Sequence, residues 1–295
     1  MRLLKTGACF LFAIVLTACV TTPVKNSSSQ ANKHLKAAAV SAAAYNQNPK
    51  TRLSLLSEQQ LNEVRYIGLR ETSADNLTTE YLVAEKDGTL FISFTGSNAK
   101  NDWLRNLNAQ YKPYQNMPYP IHKGFVLSWE EVQTDIMALI REKKPSSVAL
   151  SGHSKGGAVA SVAALKLLTE GVSVSEVTTF GAPPIFKIPR DESDANFDAK
   201  IASSTALKRL DDVSTHYIRE YDYIQLASTG LAMNKRGLGT QLSLKDDGSI
   251  YSDTNRLGAA MGLVTNISAA KVTKFDSTAL HHHASTYLEI LKKAK

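Results

Sequence analysis

"SVALSGHSKGGAVASVAALKLL", residues 147–168, sets a serine between glycines where an apolar run gives way to an alanine-rich one. "SSVALS" reads as a buried strand, and the residues from about 156 to 169 read as a helix of good formers. Between them, Gly152-His153-Ser154-Lys155-Gly156 fits G-x-S-x-G. That pattern is common by itself, and its context is what gives it weight. A strained strand-to-helix elbow presents a serine hydroxyl, and small neighbours are needed because the flanking backbones approach each other there. Gly156, Gly157 and Ala158 let the helix start close against a sheet. Ser154 is therefore read as a nucleophile rather than a passive turn residue. The main-chain N–H of Lys155, at the helix N-terminus, supplies one donor for an oxyanion. Its side chain is assigned no chemistry.

A serine nucleophile needs a base, and the base needs an orienting carboxylate. In α/β-hydrolases, which such an elbow resembles, these follow in the order Ser, Asp/Glu, His. The chain has seven histidines. His34, His122 and His216 precede the serine or the expected acid, and His153 points away from the serine at such an elbow. The run His281-His282-His283 remains, with one of the three as the base. A metal-binding tract is the competing reading of that run, but consecutive residues point in different directions. For the acid, Asp222 in "IREYDYIQL" ends an apolar run where a sheet would present it. Asp211 and Asp212 precede that strand instead.

Around this centre the pattern is α/β. Residues 34–47 form a helix halted at Asn48-Pro49, and "LSEQQLNEVRYIGLRE" permits helix or strand. "EYLVAEKDGTLFISFTG" is a hairpin turning at Asp87-Gly88. Residues 124–144 carry apolar positions at helical spacing up to Pro145, and "VSEVTTFGAPP" and "STHYIREYDYIQLA" supply further strands. Residues 99–109 suggest a short helix. The glycine- and polar-rich stretch from Gly230 to Gly262 reads as surface loops, and the chain closes in a helix. Strand, helix and strand in alternation indicate a mostly parallel central sheet flanked by helices.

Taken in order, "FISFTGSNAKNDWLRNL", "IHKGF", "ALSGHSKGGAVASVAAL", "TTFGAPP", "REYDYI" and "HHHASTYL" resemble the class 3 lipase family, the fungal-type triacylglycerol lipases and their bacterial relatives. The blocks run from about residue 80 to residue 290. The resemblance implies an α/β-hydrolase fold with Ser154 as nucleophile and Asp222 as orienting acid. It places the base at His282, five residues before Tyr287, with His283 as the alternative and His281 after it. It also makes Ser97 the second oxyanion donor beside Lys155, and "NDWLRNL" a lid-bearing segment within residues 98–109. His122 matches a family position outside the triad. Thr95 stands where the family commonly has arginine, which bears on how the oxyanion loop is held, and Lys155 replaces the usual leucine. The implied reaction is hydrolysis of a lipid ester without metal or cofactor. Lipase, phospholipase and short-chain esterase stay open, as do an acyltransferase and a non-catalytic lipid-anchored binding protein.

The N-terminus adds a location. Arg2 and Lys5, the apolar "CFLFAIVL" and "LTAC" ending at Cys19 follow the order of a signal peptide. Leu16-Thr17-Ala18-Cys19 resembles the lipobox of bacterial lipoproteins. It implies cleavage after residue 18, lipidation of Cys19 and attachment to a cell-envelope membrane, with Val20 favouring the outer membrane. The expected organisation is a signal peptide over 1–18, a tether over 19–33 and one hydrolase domain over 34–295. Cys9 is the only other cysteine, so the mature chain has no disulfide or Cys-based metal site. The net charge of +7 rests on scattered Lys and Arg with no aromatic-interleaved basic stripe. Nucleic-acid binding is not expected, and no obligate protein partner is readable.

Overall fold

The computed structural model describes residues 28–68, 79–96, 111–114, 116–189, 191–219, 237–252 and 283–294. Ten strands are described: β1 (Asn62–Ile67), β2 (Tyr81–Lys86), β3 (Thr89–Phe94), β4 (Tyr111–Lys112), β5 (Ile121–His122), β6 (Ser147–His153), β7 (Val174–Phe180), β8 (Ser214–Arg219), β9 (Thr240–Leu244) and β10 (Ile250–Ser252). Eight of them form one sheet in the order β1-β2-β3-β6-β7-β8-β9-β10. The run from β3 through β6, β7 and β8 to β9 is parallel, and the antiparallel pairs lie at the two ends. The expected mostly parallel sheet with flanking helices is present.

The helices are α1 (Ser28–Ala44), α2 (Pro49–Ser57), α3 (Lys123–Lys143), α4 (Lys155–Thr169), α5 (Asp194–Ala202), α6 (Thr205–Val213) and α7 (Ala284–Lys293). On one face, Phe125, Trp129 and Ile136 of α3, the apolar side of α4, and Leu207 and Leu210 of α6 bury against Leu90, Ile92, Val148, Leu150 and Val177 of the sheet. On the other, α1 lies between the sheet and α7 and α2. Leu35 and Ala37 to Ala44 are all buried. This explains the alanines of α1 better than helix propensity does, because a helix packed on both sides of its axis has room only for small residues.

The Asp87-Gly88 hairpin joins β2 to β3 with both turn residues at positive φ, 50° and 75°, as a two-residue turn of that hand requires. The ambiguous segment after residue 48 divides. Asn48 does not merely end α1: its side chain accepts from the Lys50 and Thr51 N–H groups and starts α2 with Pro49 at its first position. "NEVRYI" is then strand β1. Buried Arg52 fastens the two together. It pairs with Glu63 at 2.6 Å, donates to the Asn46 carbonyl at 2.9 Å, and lies 3.7 Å over the Tyr66 ring.

Two expectations are corrected. The first helix begins at Ser28, six residues before 34. The stretch from Gly230 to Gly262 is not loop throughout, since β9 and β10 extend the sheet from within it. Its Leu242, Leu244 and Ile250 are buried at alternate positions along the strands, and Gly248, at φ 90°, turns the hairpin. Helices α5 and α6 start from side-chain caps at Ser193 and Ser204, and α6 buries one face through Leu207 and Leu210. The expected short helix and lid at residues 98–109 lie outside the described residues, as does the segment up to residue 27 that includes Cys19.

Candidate active site

The elbow is built by the end of β6 and the start of α4. Ser154 stands between them at φ 54° and ψ −130°, a conformation that non-glycine residues rarely hold and that costs about 1–3 kcal/mol unless the surroundings impose it. Its surroundings do. The Ser154 N–H donates to the Phe180 carbonyl at 2.9 Å, and its own carbonyl accepts from Gly157 at 3.0 Å. The glycines are required by contact: a Cβ on Gly152 would meet the Gly156 backbone at 2.4 Å, and one on Gly156 would meet the Phe94 carbonyl oxygen at 2.1 Å. Ser154 is partly exposed at this turn, while the rest of the motif except Lys155 is buried. Lys155 opens α4, so its main-chain N–H belongs to the first turn, where helix donors have no internal acceptor.

The chain leaving the end of β3, expected to carry the second oxyanion donor, passes beside the elbow. Thr95, noted above as a departure from the resembled family, donates its N–H to the Glu80 carbonyl at 3.1 Å. Gly96 comes next, so near the elbow that a Cβ there would lie 2.9 Å from Ser154 Cβ and 3.0 Å from the His153 carbonyl oxygen. Its N–H donates to the Tyr45 hydroxyl at 2.6 Å, and that hydroxyl also lies 2.8 Å from His153 Nδ1. Burial pushes the Tyr45 phenol well above the usual tyrosine range, so it stays neutral. Nothing in the sequence singled out Tyr45. It follows an alanine-rich helix, 51 residues from Gly96 and 108 from His153.

Of the sequence-predicted site residues, Ser154, Lys155 and His283 are described. Ser97, Asp222 and His282 lie outside the described residues, as does His281. Their described neighbours converge. β8 ends at Arg219, three residues before Asp222, and the Arg219 N–H donates to the Tyr287 hydroxyl at 3.2 Å. Tyr287, on the first turns of α7, also packs 5.6 Å from the Phe180 ring and 6.0 Å from the His153 ring. One buried tyrosine thus joins the end of β8, the start of α7 and the residue before Ser154.

His283 is exposed, and its carbonyl, not its ring, accepts from Thr286 and Tyr287. The remaining described histidines have structural partners. His122 accepts from Gly124 N–H and stacks on Phe125 at 3.7 Å between ring centroids. His216 Nδ1 pairs with Thr179, and His34 with Tyr217. Asp211 and Asp212 sit at the end of α6, just before β8 and so at the opposite end of the parallel strands from the elbow; there Asp211 accepts from Gly239 N–H and Asp212 pairs with Lys208. Among the described residues, no group of three or more His, Cys, Asp or Glu is arranged to hold a metal ion.

Residues 91–223 match the family described as lipase (class 3). A lipase of Rhizomucor miehei is 36% identical over 110 residues, which cover 34% of this chain and 30% of that protein. A secreted mono- and diacylglycerol lipase of Fusarium solani is 33% identical over 101 residues, 32% of this chain and 30% of that one. The chain thus spans about a third of the length of these curated relatives. In three dimensions it superposes with a TM-score of 0.57 on a triacylglycerol lipase whose catalytic centre is a serine-protease triad. That match is 20% identical and covers 77% of this chain and 84% of the other. The likeness establishes the α/β-hydrolase fold.

Proposed function

From the family match over residues 91–223 and the elbow inside it, we propose that this chain is a serine ester hydrolase of the class 3 lipase type, acting on lipid esters through Ser154, Asp222 and His282. The observation that carries the reading is Ser154 held at φ 54° on the turn from β6 into α4. Ser154 Oγ attacks the acyl carbon, and His282 takes its proton and returns it to the leaving alcohol. Asp222 stabilises the imidazolium. Main-chain N–H groups of Ser97 and Lys155 hold the tetrahedral oxyanion, each worth roughly 3–4 kcal/mol in comparable sites. Water then repeats the cycle on the acyl-enzyme.

The test is titration of acid released from tributyrin, a long-chain triacylglycerol and phosphatidylcholine, with and without an added alcohol. Free acid as the main product is the expected result. Ester product in the presence of the alcohol would make the protein an acyltransferase. Neither product from a folded protein would leave it a binding protein on a hydrolase scaffold.

The location proposed is a bacterial envelope, most simply the outer membrane, through lipid on Cys19. The lipobox-like Leu16-Thr17-Ala18-Cys19 supports it. Each buried methylene of an acyl chain contributes about 0.8 kcal/mol, so several chains on one residue hold a protein at a bilayer. Cys19→Ser is expected to abolish incorporation of labelled palmitate and to move the protein out of the membrane fraction. Unchanged fractionation would reject the anchor.

A further inference from the structure

We propose that Tyr45 is a positioning residue for the oxyanion hole, its hydroxyl pinning the Gly96 main chain against the serine elbow; the proposal rests on the hydrolase reading above. The parallel pairing of β3 with β6 ends at Phe94 and Gly152. Beyond it the loop carrying Gly96 has no ladder to hold it, and the Gly96 N–H needs another acceptor. Tyr45 provides one, at 2.6 Å. The same oxygen reaches His153, the residue before the nucleophile, at 2.8 Å, with the two rings edge to face at 5.7 Å.

One hydroxyl therefore joins the two chain segments that the mechanism needs at a fixed separation. The Lys155 donor follows the elbow, and the Ser97 donor follows Gly96. Glycine has no Cβ to restrict its dihedrals, so the peptide plane entering Gly96 must be fixed from outside before the plane leaving it has a defined direction. The platform for the pin is rigid, since Val40, Ala43 and Ala44 at the end of α1 are fully buried. The hydroxyl has a donor and two lone pairs, so it can accept from Gly96 N–H and still share a hydrogen bond with His153 Nδ1. The phenol remains neutral and so can accept and donate together.

Tyr45→Phe keeps the ring and removes only the pin. With a soluble ester, kcat is expected to fall roughly tenfold to a hundredfold, because a misplacement of about 1 Å costs that much, while KM stays within about twofold. Binding of an alkyl boronic acid, which forms a tetrahedral adduct on the serine, is expected to weaken by the same factor as kcat/KM. Ser41→Ala is the control for loosened packing: Ser41 Oγ meets Ser93 Oγ at 2.9 Å and links α1 to β3 away from the loop. It is expected to lower the thermal midpoint with kcat unchanged. A Tyr45→Phe enzyme with kcat and boronate affinity within twofold of wild type overturns the proposal, as does an equal loss of kcat in Ser41→Ala. Wild-type protein that hydrolyses no ester and takes no fluorophosphonate overturns the hydrolase reading itself, a failure visible before any Tyr45 variant is compared.

Discussion

Ser154→Ala is expected to lower kcat/KM for ester hydrolysis by a factor on the order of 10⁵ to 10⁶ and to abolish labelling by a fluorophosphonate probe. The size follows from the mechanism. Without Oγ no acyl-enzyme can form, and what survives is direct attack by water in a site that still has its oxyanion donors. His282→Ala should cost a comparable factor, since a hydroxyl without a base is a poor nucleophile near neutral pH. The double variant should be no worse than either single one, because the two residues act as a unit. His283→Ala is expected to stay within about threefold of wild type: its ring is exposed at the start of α7, and only its main chain bonds to that helix. Thermal midpoints of the serine and histidine variants should match wild type, which separates loss of chemistry from loss of fold. Retention of a tenth of the activity in Ser154→Ala would sink the nucleophile assignment. A deep loss in His283→Ala with none in His282→Ala would transfer the base to the neighbouring residue.

Much of this arrangement could be read from the chain because it depends on local sequence. The elbow needs an apolar strand, a small-residue turn and a helix within about twenty residues, and all three are contiguous around Ser154. The Asp87-Gly88 hairpin is as local. The tertiary pins could not be read in the same way. Tyr45 acts on Gly96 and His153, and Tyr287 on Arg219 and His153, across separations that no periodic pattern encodes. The alanines of α1 suggested helix propensity when their cause is close packing on two sides. The strands β9 and β10 were hidden by their polar alternate residues, although Leu242 and Leu244 keep a period of two. The departure at Thr95 is also answered by the fold: the loop is held there by Glu80 and Tyr45.

The largest expected effect on stability comes from a single methyl group. In Gly156→Ala the new Cβ would lie 2.1 Å from the Phe94 carbonyl oxygen, 2.6 Å from its carbon and 2.7 Å from the Thr95 carbonyl carbon. All three are main-chain atoms of β3 and the residue after it, so no side chain can rotate away. Relief requires α4 to back off the sheet, at the point where Phe94 pairs with Gly152 in the parallel ladder. Overpacking typically costs 1–3 kcal/mol, and a clash with fixed backbone belongs at or above the upper end of that range. Against a total stability of about 5–15 kcal/mol, the variant should lose on the order of 10 °C in thermal midpoint or fail to accumulate in soluble form. Gly171→Ala supplies the contrast. Its added Cβ meets nothing within 4 Å, and the cost there is only that of φ 77°, about 1–2 kcal/mol. The two variants, compared by denaturant midpoint, separate steric closure at the elbow from ordinary glycine strain. Equal midpoints would mean that β3 and α4 are not in the close contact described. Where Gly156→Ala does fold, its activity should fall further than its stability explains, because backing α4 away from Phe94 and Thr95 draws the Lys155 donor away from the loop that Tyr45 holds.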